Sequence, residues 1–225
     1  MRLDPGSDPP DSSVDSARVG GRRWALRLEA ALWLAAATLL GTVAWTLADA
    51  ALFQRSAAAR LERAWAAESS GVAPTLAAVA TGPIASGTPL ARLSIPRLGA
   101  SAVVAEGVEE PVLRRALGHL PESARPGESG NIALAGHRDT FFRALEGVEV
   151  GDEVLLESGA GRERYRVEWA AVVDPAQVTV ARDSGYPALT LLTCYPFGYV
   201  GDAPYRYVIR ARRVEDARAA GRRSG

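Results

Sequence analysis

Three kinds of hydrophobic patterning follow one another along the chain. The first 21 residues, MRLDPGSDPPDSSVDSARVGG, are Pro, Ser, Gly and Asp with almost nothing apolar. Such a segment cannot offset its ordering entropy, and disorder is expected. The span Ala30–Ala48 is then 19 residues long without a charge, close to the ~20 residues that cross a bilayer as a helix. Trp33 and Trp45 fall toward its two ends, where amphipathic rings favour the membrane interface. After it, RSAAARLERAWAAES (Arg55–Ser69) has the composition of an Ala-rich helix, and Gly71–Pro89 that of an extended linker.

From Leu90 the pattern changes to short β-type runs. LARLSIPRLG and SAVVAEG alternate and are broken by Pro96 and Gly99; NIALAGH ends in a Gly-His turn; ALTLLTCY and PYRYVIRAR are two further runs. DEVLLES and RERYRVEWAAVV straddle Gly159 and Gly161, a hairpin signal. EEPVLRRALGHL spaces Val112, Leu113, Ala116 and Leu117 as one helical turn with Pro111 near its start, and DTFFRAL suits a short helix capped by Asp139. Many short strands with close turns and only brief helices predict a closed barrel or sandwich, not a parallel α/β sheet. The expected organisation is a disordered cytoplasmic N-terminus at 1–23, a transmembrane helix at 24–53, a helical stalk and linker at 54–89, a folded domain at 90–214 and a polar tail at 215–225.

Charge orients the apolar span and excludes one class of partner. Arg22, Arg23 and Arg27 precede it, whereas Asp49 and Gln54 follow, so the positive-inside tendency puts the N-terminus in the cytoplasm and the folded domain outside. The alternatives are a cleaved signal peptide, for which the apolar stretch is long and no cleavage site stands out, and a buried soluble helix without partner helices. Acidic and basic residues balance at 26 each, and no aromatic-basic motif points to nucleic acid. All the basic residues are Arg.

The chain has one cysteine, Cys194, and two histidines, His119 and His137. One thiol cannot make an intramolecular disulfide. Cys194 ends the run TLLTC and His137 ends NIALAGH, so both stand where strand order gives way to solvent. A thiol attacks as its thiolate, and an adjacent imidazolium supplies a proton to a leaving amine. Acyl transfer also needs a group for the oxyanion. Arg206 opens the strand after Cys194, across the loop FGYVGDAP, with Arg210 in reserve. A buried thiol, a surface histidine and an arginine solvating a sheet face are the bland alternatives.

These residues carry a resemblance. TLLTC resembles the TLxTC signature of sortases, the membrane-anchored cysteine transpeptidases of bacteria. LSIPRLG is similar to that family's opening strand, GNIALAGHRDTFFRAL to its histidine segment and APYRYVIRA to its arginine strand. The extended forms GHRDTFFR and TCYPFGYVGDAPYRY resemble the class D branch. The resemblance spans Leu90 to about Arg213. It implies an eight-stranded β-barrel with short helices, Cys194 as nucleophile, His137 as acid/base partner and Arg206 as oxyanion or substrate-orienting residue. Thr193, within the signature, is supporting, and His119, where many members also carry a histidine, is structural or supporting.

Implied partners are secreted proteins with a C-terminal LPxTG-like sorting signal, and an amine acceptor such as a peptidoglycan precursor or pilin lysine. The motif groove is expected to be apolar, with Ala133, Ala135, Val172, Val173 and Leu192 plausible by position. No cofactor is expected. Glu106, Glu109, Glu110, Glu122 and Glu128 match no compact calcium loop, so no obligatory metal is expected. A cysteine hydrolase without transfer and a non-catalytic, membrane-tethered β-barrel binding module are the competing readings.

Overall fold

The computed structural model describes residues 13–69, 82–177 and 184–214. The expected polar tail and most of the linker lie outside these. The chain divides into two compact units, 1–48 and 49–225. In the first, the apolar stretch lies within helix α1 (Ser13–Ser69), which also takes in residues 13–23 of the segment expected to be disordered. Its large side chains face outward, among them Trp33, Leu34, Leu40 and Trp45. One helix among the described residues is long and apolar enough to cross a membrane.

The second unit is a closed barrel of eight strands: β1 (Pro89–Ile95), β2 (Ala100–Glu106), β3 (Leu117–His119), β4 (Asn131–Ala135), β5 (Glu153–Ser158), β6 (Gly161–Val173), β7 (Ala188–Tyr195) and β8 (Tyr205–Val214). Around the ring the order is β1, β2, β3, β4, β7, β8, β6, β5. Neighbours pair antiparallel except β2 with β3 and β4 with β7, which are parallel. Strands β1 and β5 alternate as their sequences predict, turning Ala91, Leu93, Ile95, Val154 and Leu156 inward. They meet Ile132, Leu134, Leu189, Leu191 and Ile209 in one core. The β5–β6 hairpin forms at Gly161, whose φ of 111° few other residues adopt.

Alternation fails on β2, where Ala102 through Glu106 are all buried. The reason is the last part of α1. Its Ala57 and Leu61 pack on Val103, while Phe53 lies against Ala105, Val112 and Ala116. Gln54 adds a polar clasp: its Oε1 accepts from Val103 N–H at 2.8 Å, and its Nε2 donates to Arg115 O at 2.7 Å. Arg115 Nε donates to Asp49 Oδ2 at 2.6 Å, and Arg92 Nη2 to Glu62 Oε1 at 2.7 Å. Burying a leucine stabilises by roughly 1.5–3 kcal/mol, so this helical segment is part of the domain rather than a free spacer.

Two helical expectations need correction. The helix after Glu109 stops at Leu113 (α2, Glu110–Leu113), and Leu117 instead begins β3. Gly118 permits that strand, because a Cβ there would sit 2.4 Å from Gly107 O. In DTFFRAL the helix is a 3-10 turn at Arg143–Gly147 that follows Phe142 without a side-chain cap, so Asp139 caps nothing.

Candidate active site

Parallel pairing of β4 and β7 brings the histidine and cysteine segments side by side. Ala135 is opposite Leu192, and the register continues past the end of β4: Gly136 N–H donates to Leu192 O at 3.1 Å. Thr193 Oγ1, buried, donates to Gly136 O at 2.8 Å. His137 and Cys194 are the next residues on either side of that clasp. Glycine is required at 136, since a Cβ would stand 2.7 Å from Phe142 and 2.8 Å from Leu117. Phe142, itself buried, closes the turn by donating its N–H to His137 O at 3.2 Å.

On the other flank, antiparallel pairing of β7 with β8 sets Cys194 opposite Arg206. Arg206 Nη1 donates to Ala203 O at 3.1 Å and Tyr205 O at 3.0 Å. The three predicted residues therefore line one cleft of about 330 Å³, with Arg138, Asp139, Gly201, Asp202 and Ala203. Cys194 is half-buried, and His137 keeps a third of its side chain in solvent with its Nε2 3.4 Å from Glu110 Oε2. Behind the cysteine, Tyr195, Phe197 and Tyr207 form an aromatic cluster with centroids 5.5–6.1 Å apart. Burial, and then the neighbouring Tyr195, push the Tyr207 hydroxyl above its ordinary range, so it remains neutral at physiological pH.

Arg210, the reserve candidate, does not reach the cleft. It is buried opposite Thr190, and its guanidinium carbon lies 5.8 Å from the Trp169 ring centroid. His119 is also apart from it, fully buried, with Nδ1 2.8 Å from Glu106 Oε2 and Nε2 2.9 Å from Ala124 O. Of the groove positions, Ala133 is sealed in the interior, Ala135 and Leu192 are half-buried and Val172 is exposed.

Sequence reasoning passed over Arg138 and Arg143. Arg138 Nη2 donates to Tyr199 O at 2.8 Å and Gly201 O at 2.9 Å, and Arg143 Nη1 to Phe197 O at 3.1 Å. Together they pin the β7–β8 loop over the cleft. A signal for them exists: both lie in GHRDTFFR, and the carbonyls they hold lie in TCYPFGYVG, the two extended forms that carry the resemblance. The candidate calcium carboxylates are dispersed: Glu106 faces His119, Glu109 accepts from Ser86, Glu110 faces His137 and Glu128 accepts from Arg125 N–H. Among the described residues no three His, Cys, Asp or Glu side chains gather to hold an ion.

Comparison with known proteins gives this barrel its place. The sortase domain profile matches residues 93–214, more than half of the chain, and the chain belongs to the sortase family. It is 38% identical over 123 residues to Sortase D of Bacillus subtilis (strain 168), a match covering 54% of this chain and 62% of that relative. The chain thus aligns with less than two thirds of that relative's length. Its fold is similar to the Sortase D5 transpeptidase of Clostridium perfringens, with TM-score 0.54 and 29% identity over 59% of this chain and 83% of that one. It is similar too to sortase E from Streptomyces avermitilis, with TM-score 0.50 and 33% identity over 59% of this chain and 91% of that one.

Proposed function

We propose that the chain is a cysteine transpeptidase that cleaves an LPxTG-like sorting signal and passes the acyl group to an amine. The observation that carries the reading is the convergence of Cys194, His137 and Arg206 on one cleft. The Cys194 thiolate attacks the carbonyl carbon of the scissile bond, and the Arg206 guanidinium faces the oxyanion that forms. The C–N bond then breaks, and imidazolium His137 gives its proton to the departing amine. A thioester remains on Cys194. An acceptor amine attacks it, loses its proton to His137, and the thiolate leaves again. A thioester retains enough of the peptide's energy for this second transfer.

Exposed apolar side chains near this end of the barrel, Val172, Tyr199, Val200 and Tyr205, suit the Leu and Pro of such a signal. The apolar stretch of α1 serves as a single-pass anchor in the cytoplasmic membrane, N-terminus inside, with the barrel facing secreted proteins that bear the signal. Acceptors of the fitting chemistry are a peptidoglycan precursor or a pilin lysine.

The test is incubation of the full chain with a Leu-Pro-Glu-Thr-Gly peptide, with and without hydroxylamine. Intact mass should show the acyl adduct on Cys194, and hydroxylamine should convert the product from acid to hydroxamate. An adduct that yields only acid whatever the amine would replace transfer by hydrolysis. No adduct on any sorting-type peptide would remove the reading.

A further inference from the structure

We propose that Glu110 is a positioning residue for His137, and that docking of the end of α1 on the barrel sets where Glu110 stands. The proposal rests on the reading of His137 as acid/base partner of Cys194.

Glu110 opens α2, and its carboxylate faces an imidazole and a guanidinium: Oε2 is 3.4 Å from His137 Nε2, and Oε1 is 4.0 Å from Arg114 Nε. Nε2 is thus the ring nitrogen on the carboxylate's side, and a carboxylate there favours one ring orientation and tautomer over the other. The side chain of Glu110 is 64% exposed, so burial does not hold it. Its place must come from the backbone beneath it.

That backbone is one turn of helix, Glu110–Leu113, too short to be stable by its own hydrogen bonds. Helix α1 holds it from outside. Phe53 packs on the buried Val112 and on Ala116. Arg115, just past α2, is gripped twice, its carbonyl by Gln54 Nε2 and its guanidinium by Asp49. The other end of the Gln54 amide accepts from Val103 of β2, so one side chain ties α1, the barrel wall and the α2 turn together. A cavity of about 330 Å³, lined by Phe53, Ser86, Gly87, Pro111, Val112 and Arg115, runs along this contact. Packing there is loose, and the polar clasp fixes the register of α2. The same element carries α1 on one side and the carboxylate facing His137 on the other.

The chain suits a direct test, because Cys194 is its only thiol and His119 and His137 its only imidazoles. Alkylation of Cys194 by iodoacetamide, followed by intact mass on the detergent-solubilised full chain, reads the thiol without a substrate. Glu110→Gln should slow it about tenfold, below the ~10²-fold cost of a 1 Å misplacement. It should also shift the ring NMR resonances of His137 while those of His119 stay in place. Gln54→Ala should slow alkylation in the same direction and add nothing in the Glu110→Gln background, as expected for two changes acting through one element.

Wild-type alkylation by Glu110→Gln, with His137→Ala still slow, would overturn the proposal and leave the acid/base reading standing. Full additivity of Gln54→Ala with Glu110→Gln would overturn the link to α1. Unchanged alkylation in His137→Ala would remove the acid/base reading, and this proposal with it.

Discussion

The two histidines of this chain have the same kind of neighbour and opposite surroundings. Each stands at or just beyond the end of a strand and faces a glutamate: His119 faces Glu106 and His137 faces Glu110. His119 is sealed, and both its ring nitrogens meet acceptors, Glu106 on one side and Ala124 O on the other. Both nitrogens are therefore satisfied inside the protein, away from solvent. Ser123 Oγ, 3.2 Å from Nε2, donates to Leu120 O and accepts from Ala133 N–H, which leaves no site idle. That ring rivets the 120–130 loop to the barrel and is closed off from solvent. His137 has one carboxylate, open solvent and a thiol-bearing strand beside it. Access, not residue type, separates a structural imidazole from one fit for proton transfer.

Mutation should separate the two sites cleanly. His137→Ala is expected to lower kcat/KM for a sorting peptide by about 10³-fold, within the range for lost general acid–base catalysis, and to leave the melting temperature nearly unchanged. His119→Ala should do the reverse. It strands Glu106 in the interior, and breaking a buried pair costs about 3–5 kcal/mol, measurable by urea unfolding. Comparable activity losses at equal stability in both variants would erase the distinction. Arg206→Ala should cost about 10²-fold in kcat, the scale of one lost oxyanion donor, with KM little altered if the guanidinium acts on the transition state alone.

The smallest effect lies far from both rings. Asp152 accepts from Arg97 Nε and Nη2 and from Glu149 N–H, and the Arg97 hydrogen bonds hold its carboxyl below the usual carboxylate range. A carboxyl depressed by folding stabilises above the unfolded value of about 4 and loses that contribution as pH falls through the folded value. Asp152→Asn should therefore lower Tm by about 2–4 °C at pH 7, and the gap from wild type should close as the buffer is taken below pH 4. A gap that widened in acid would reverse the sign assigned to this pair.

Much of the barrel was legible because its strands announce themselves locally. The alternation in LARLSI and the Gly-bounded hairpin are properties of adjacent residues. What escaped depends on distant partners. Leu117–His119 reads as the tail of a helix until Val104 and Glu106 of β2 supply a parallel neighbour. SAVVAEG gives no hint that α1 will cover its outer face. The cleft was legible at Cys194, His137 and Arg206 because strand ends and a connecting loop can be read from sequence. Glu110 was not, since its approach to His137 depends on how α2 is seated, and that is decided by Phe53 and Gln54 more than fifty residues upstream.

The thiol sits on a strand flanked by partners on both sides, β4 and β8. Its coordinates are therefore set by the ladder, and a slip of one residue would turn the sulfur to the opposite face. Loops around the mouth can lengthen, shorten or change composition without displacing the thiol. The fold separates where the sulfur stands from what surrounds it, and the rim of the cleft can be varied while the weave keeps the thiol in place.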